Sequence, residues 1–260
     1  MSGLLSQFEN QVLTLTLSRT ECHNAFDDHL LKSITAALQS VGNHSNIRCV
    51  VIKAEGKHFC AGADLNWMQR MAQFSESENL TDSLILANAM QSIYRCPVPT
   101  ICLIQGAAMG GGAGLVAACD IAIASDNAYF CFSEAKLGLI PAVISPYVVE
   151  AVGARTAKKL FCTTEKLNAQ QAFDIGLVHQ VIANEELETA GDIICEQIKA
   201  NAPQAVRDCK QLVDLVKNQP INSTILEKTA QLIASKRVSD EGQKGLHAFL
   251  SKSPLNWSES

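Results

Sequence analysis

Over the first 125 positions, β-branched runs alternate with helically spaced apolar residues, and this rhythm constrains the fold more than any other feature. Val12–Ser18, VLTLTLS, alternates as a half-buried strand does, and Arg48–Gly56, RCVVIKAEG, is a β-branched run closed by glycine. Between them Leu30, Leu31, Ile34, Leu38 and Val41 recur at the spacing of an amphipathic helix. A second unit repeats the pattern: a helix through Leu84, Ile85, Asn88, Ile93 and Tyr94 stopped by CPVP, a buried strand TICLIQG, a glycine-rich turn, and a helix through Leu115 to Cys119. The strands DIAIAS and AYFCFSE follow. From about Asn201 strand signals vanish, leaving helical segments at Pro203–Lys217, Asn222–Arg237 and Glu241–Ser251. The expectation is an α/β chain with a strand-rich core over residues 1–200 and a helical region over 201–260. A helical piece that small has little core of its own, so it should pack on the core or on another subunit.

With 260 residues, 47% of them hydrophobic, and a mean hydropathy of +0.09, the chain can bury a full core. Its apolar stretches are interrupted before they reach the length of a bilayer span, and MSGLLSQFEN lacks a basic segment leading into an apolar one. A soluble, cytoplasmic protein is expected. Ten cysteines are scattered without a CxxC, so they read as small buried apolar residues in a reducing compartment. Six histidines without HxH or HExxH give no support for a metal site. A net charge of −5 disfavours nucleic acid as a partner.

Each strand–helix unit ends in an unusual loop. In GKHFCAGADLNWM, the small residues Ala61, Gly62 and Ala63 lead into Asp64, a plausible helix N-cap; in GAAMGGGAGL, Gly110, Gly111 and Gly112 open the next helix. Uncovered backbone N–H groups at helix starts favour an anion, and two of them converging on one oxygen would form an oxyanion hole. On these residues alone, tight helix entry and close packing are the favoured explanation of the glycines.

HFCAGADL, PVPTICLIQGAAMGGGAGLVAACDIAIAS, FCFSEAKLGLIPAV and AQQAFDIGLVHQVI, in this order and spacing, resemble the crotonase (enoyl-CoA hydratase/isomerase) superfamily over nearly the whole chain. EGQKGLHAFLSK is similar to the family's last helix. The resemblance implies a crotonase-like ββα spiral core, a helical C-terminal trimerisation region, and a homotrimer or dimer of trimers with no membrane partner. The implied substrate is an acyl-CoA thioester, coenzyme A being part of the substrate with no further cofactor. The implied oxyanion donors are Ala63 and Gly111, where side chains would obstruct the thioester. Asn24, Ala25, Ala61, Asp64 and Leu65 match family positions that contact the coenzyme, as do Phe249 and Lys252 near its adenine end.

The catalytic acids depart from the best-known pattern. Typical hydratases carry GGGxE, whereas GGGAGL puts Gly114 where the first glutamate would stand. The second survives as Glu134 in FSEAKLGLIP. One carboxylate can nonetheless activate water and then return the proton to the enolate. The same group can move a proton between the α and γ carbons, so isomerase chemistry stays open beside hydration, and so does a non-catalytic acyl-CoA-binding role. The run FSEAKLGLIPAVISPYV resembles members associated with 3-methylglutaconyl-CoA hydration, which implies a branched, carboxylated acyl group; Lys136 and the segment around Ser145 are nominees for meeting that carboxylate.

Other residues carry plain structural readings. Asp120 is expected to fix a turn, and His58 and His179 to be structural loop histidines. Trp67, Met68 and Met71 suit an acyl pocket or ordinary core packing alike.

Overall fold

The computed structural model describes residues 3–257 and divides by contacts into two compact units, Met1–Ile193 and Ile194–Ser260. The first unit opens with a hairpin the sequence reading missed in part: β1 (Leu4–Glu9) lies antiparallel to β2 (Val12–Leu17). Asn10 and Gln11 between them both take positive φ, 48° and 67°, which matches the right-handed twist of a two-residue hairpin. Leu13, Leu15 and Leu17 alternate inward from β2. Helix α1 (Asp28–Ser40) follows, its start capped by Asp27, whose side chain accepts from Leu30 N–H. It buries Leu30, Leu31, Ile34 and Leu38, the residues its spacing singled out.

After β3 (Cys49–Ala54) come α2 (Leu65–Met71) and α3 (Glu76–Tyr94), the latter opened by a Ser75–Glu78 capping box. Next are β4 (Thr100–Ile104), β5 (Ala107–Met109), α4 (Gly111–Ala118), β6 (Ile121–Ser125) and β7 (Tyr129–Cys131). Then follow α5 (Ser145–Val152), α6 (Ala154–Thr163), β8 (Leu167–Asn168), α7 (Ala169–Asp174) and β9 (Gln180–Ile182). Helix α8 (Leu187–Lys199) contains the division between the units.

The strands form a six-stranded sheet in the order β1-β2-β3-β4-β6-β9, parallel beyond β2, and a three-stranded sheet in the order β5-β7-β8. In two successive passes the chain leaves one sheet and enters the other within a few residues, from β4 to β5 and from β6 to β7. That repeat delivers Ala107–Gly111 and Tyr129–Glu134 side by side, because β5 pairs parallel with β7. Asp120 accepts from both Thr100 N–H and Thr100 Oγ1, tying the start of β4 to β6. His179 Nδ1 accepts from Ala122 N–H at 3.0 Å. Both residues are structural, as expected.

The second unit holds α9 (Pro203–Val216), α10 (Ser223–Arg237) and α11 (Asp240–Ser251), capped by Asn222 and Ser239 at the last two starts. These helices expose Val213, Leu226, Ile233, Phe249 and Leu250. Among the described residues the ten cysteines form no disulfide. Among the described residues, no helix is long and apolar enough to cross a membrane.

Candidate active site

The two small-residue loops run alongside one another. Phe59 N–H donates to Gln105 O, Cys60 N–H to Ala107 O and Met109 N–H to Cys60 O, at 2.8, 2.9 and 2.9 Å, so the loop after β3 lies against β5 like a further strand. Gly62 then adopts φ +101°, which reverses the alternation of the chain. Past it, Phe26 N–H donates to Gly62 O and Asp64 N–H donates to Phe26 O, both at 2.9 Å. The amide between those two groups, Ala63 N–H, therefore faces away from Phe26. It donates to no group among the described residues.

Gly110 is reached through Gly110 N–H donating to Cys131 O on β7, at 2.8 Å. Its φ of +50° and ψ of −121° suit glycine alone, and α4 begins at the next residue. Gly111 N–H, in the first turn, has no helical partner to donate to and finds none elsewhere among the described residues.

Space is short around the glycine run. A Cβ at Gly111 would overlap the ring of Phe26, and one at Gly112 would lie 2.8 Å from Cys60 O. One at Gly110 would lie 3.1 Å from Glu134 Oε1. Close packing against three neighbours thus accounts for the glycines directly, the explanation that the residues alone favour, beside the room for a thioester that the family resemblance implies.

Glu134 opens the short helical turn Glu134–Leu137 at the end of β7, and Gly138 in the left-handed region closes that turn. Its Oε2 is buried and accepts no hydrogen bond among the described residues. Burial pushes its pKa above the ordinary carboxylate range, and a hydrogen bond to its own backbone opposes this more weakly. A carboxyl with a raised pKa keeps its proton to a higher pH than an ordinary carboxylate does.

The expected position of the missing glutamate is filled. A Cβ at Gly114 would overlap Ile144 Cγ2 and Cβ, and Ile144 is only 2% exposed. No volume remains there for a carboxylate.

The remaining sequence candidates sort as follows. Asp64 is the N-cap of α2: its Oδ1 accepts from Asn66 and Trp67 N–H at 2.8 and 3.1 Å, and its Oδ2 pairs with Arg19 at 3.0 Å. Leu65 begins that helix and is exposed, and Ala61 N–H donates to His23 O. Asn24, buried and in the left-handed region, accepts from Arg19 N–H and donates to Glu55 O and His58 O, each at 2.8 Å. Ala25 O accepts from Arg19 Nη1 at 2.7 Å. Arg19, which the sequence reading did not single out, thereby holds Ala25, Asp27 and Asp64 in one ion-paired cluster. His58 Nδ1 accepts from Ala107 N–H at 3.1 Å, a structural role.

Trp67 settles as core, buried and edge-on to Phe26 with centroids 5.7 Å apart, its Nε1–H donating to Asp82. Met71 is partly buried against the core, and Met68 is half-buried. Lys136 is exposed in the same turn as Glu134, and Ser145 Oγ donates to Ala142 O. Phe249 is exposed on α11 and Lys252 forms its left-handed C-cap, both in the second unit. Cys60 is no nucleophile: burial pushes its thiol up to about 12.

A strand–strand–helix passage repeated between two sheets, with unpartnered amides at Ala63 and Gly111 and the Glu134 carboxyl against Gly110, fits a crotonase-type fold, and solved structures agree. A protein from Legionella pneumophila subsp. pneumophila str. Philadelphia 1, assigned as an enoyl-CoA hydratase/isomerase (crotonase), is 54% identical with a TM-score of 0.94, covering 99% of each chain. An enoyl-CoA hydratase from Shewanella pealeana ATCC 700345 is 40% identical with a TM-score of 0.93, covering 96% of this chain and 94% of its own. The 1,2-epoxyphenylacetyl-CoA isomerase of Escherichia coli K12 is 30% identical over 97% of both chains. The family model for enoyl-CoA hydratase/isomerase matches residues 7–260, and the chain belongs to that family.

Proposed function

We propose that the protein is an enoyl-CoA hydratase working with a single carboxylate. The observation that carries this reading is Glu134: its Oε1 lies against Gly110, its Oε2 is buried without a partner, and the free Gly111 N–H is the next amide along the chain. In the proposed step Glu134 takes a proton from water while the water oxygen bonds to the β-carbon. The π pair moves to the thioester oxygen, held by Ala63 and Gly111 N–H. Glu134 then returns its proton to the α-carbon, so that water is added and the carboxylate regenerated.

The acyl group we favour is branched and carboxylated, with 3-methylglutaconyl-CoA as the test compound. Support comes from the FSEAKLGLIPAVISPYV pattern and from Lys136, an exposed cation in the turn that carries Glu134. Asn24, Ala25, Ala61, Asp64 and Leu65 are proposed to border the coenzyme, and Phe249 and Lys252 its adenine end. The apolar residues exposed on α9–α11 favour a homotrimer or dimer of trimers, and the composition favours a cytoplasmic setting. No cofactor beyond the substrate's own coenzyme A is called for.

Isomerisation is the second reading, favoured by the hydrocarbon at Ile144 where hydratases carry a carboxylate that helps to orient water. The test follows the ultraviolet absorbance of the conjugated thioester for crotonyl-CoA and 3-methylglutaconyl-CoA in parallel. Faster loss with the branched acid supports the proposal. Binding without loss of absorbance for either compound rejects hydration.

A further inference from the structure

Gly110 and Gly114 are one helical turn apart, Gly114 N–H donating to Gly110 O at 3.1 Å, so they share a face of α4. Over Gly110 sits the carboxyl of Glu134, and over Gly114 sits the side chain of Ile144. Helix α4 thus presents two bare positions on one stripe, one backed by a carboxyl and the next by hydrocarbon. Ile144 is held there by α5: it is that helix's N-cap residue, and its carbonyl accepts from Val148 N–H at 3.1 Å.

We infer that Ile144 is the positioning residue that makes this a one-carboxylate site, closing the volume over Gly114 to a second acid and to water so that Glu134 alone carries the proton. This rests on the reading of Glu134 as the proton carrier. Ile144 is buried, so its proposed part is to fill volume beside the site and keep water from Glu134. The groups around Glu134 leave it little else to be tuned by. Gly110 of the glycine run lies under the carboxyl, Ile144 lies over Gly114 one turn further along, β7 offers the thiol of Cys131, and Lys136 in its own turn is exposed. Desolvation is the largest influence on the carboxyl, and no charged partner contributes among its causes. In the proposal, a hydrocarbon plug one helical turn from the carboxyl keeps water away from it.

In this arrangement Gly114 and Ile144 are a matched pair. A glutamate at 114 requires a small residue at 144, and a large aliphatic at 144 requires glycine at 114. The pair therefore decides whether the site has one carboxylate or two.

The experiment measures the pH profile of kcat/KM for the full-length enzyme with the better of the two enoyl thioesters, in the wild type, Ile144→Val, Ile144→Ala, Glu134→Gln and the double variant Ile144→Ala/Gly114→Glu. Thermal melts confirm that each is folded. The activity of the free enzyme rises with pH as Glu134 ionises, so admitting water beside the carboxyl moves that acid limb to lower pH. Ile144→Val, which keeps the plug, is expected to retain the wild-type limb; Ile144→Ala is expected to shift it downward with KM little changed. The double variant is expected to hydrate crotonyl-CoA at least about tenfold faster than Ile144→Ala, because a second carboxylate helps to orient water. An acid limb unmoved in Ile144→Ala, with only the melting temperature lowered, overturns the inference and leaves Ile144 as packing. A limb that survives in Glu134→Gln overturns the reading of Glu134 itself, and Ile144's role with it.

Discussion

The ring of Phe26 lies where a side chain at Gly111 would have to go. Phe26 is buried, leans edge-on against Trp67, and exchanges two backbone hydrogen bonds with the segment on either side of Ala63. One aromatic residue outside both loops therefore sets the approach of the two candidate oxyanion amides.

That relationship predicts the behaviour of Gly111→Ala. The new methyl meets a ring that cannot retreat into its packed surroundings, which costs about 1–3 kcal/mol of stability. Phe26→Leu should cost stability alone, yet combined with Gly111→Ala the two losses should add to less than their sum. Urea melts of the singles and the double check this. Strict additivity would show that the two sites do not meet.

Glu134→Gln should be slow and stable at once. Loss of a general acid–base group lowers kcat by about 10²–10⁴-fold. Burial raises the folded-state pKa of Glu134, so its favourable contribution is complete at low pH and is lost as pH rises through that pKa. At neutral pH the ionised group therefore weighs against folding. Replacing it with the neutral amide should raise the melting temperature at pH 7, with the gap narrowing toward pH 4. Melts across that range read the sign.

His58 works in the opposite direction. Desolvation, then the charges of His23, Lys57 and Lys166, hold its pKa below the ordinary imidazole value, and its Nδ1 must be unprotonated to accept from Ala107 N–H. A depressed pKa gives stability that is present above the unfolded value and lost as pH falls through the folded one. His58→Gln should lower stability at pH 7.5 and flatten its decline between pH 7 and 5. A wild-type slope in the variant would exclude His58 as a source of that decline.

Asp64→Ala removes the cap of α2 and leaves Asp27 as the carboxylate paired with Arg19; a loss of about 1–2 kcal/mol is expected from the cap. Because α2 begins two residues after Ala63, KM for the thioester should also rise. An unchanged KM beside the lost stability would separate the cap from the site.

Much of this was legible in the sequence because it rested on local chemistry. The helical spacing from Leu30 to Leu38 and the alternation of VLTLTL each encode their own burial, and Asp64 followed by a helix start reads as a cap. Glu134 stood out only through its motif. The short strands β5, β8 and β9 were not readable, being two or three residues long and defined by pairing with distant segments. Phe26, Arg19 and Ile144 escaped notice for the same reason. An aliphatic residue in PAVISPY carries no periodic signal, and its meaning appears only when α5 brings it over Gly114.

The measurement that tests the central claim most directly is turnover of the enoyl thioester in deuterium oxide, with the label located by nuclear magnetic resonance, in the wild type and in Glu134→Gln. Deuterium at the α-carbon of a hydrated product in the wild type, and loss of that product in the variant, is the predicted result. A hydrated product formed equally fast by Glu134→Gln, or label appearing at the γ-carbon with no hydration, would contradict it.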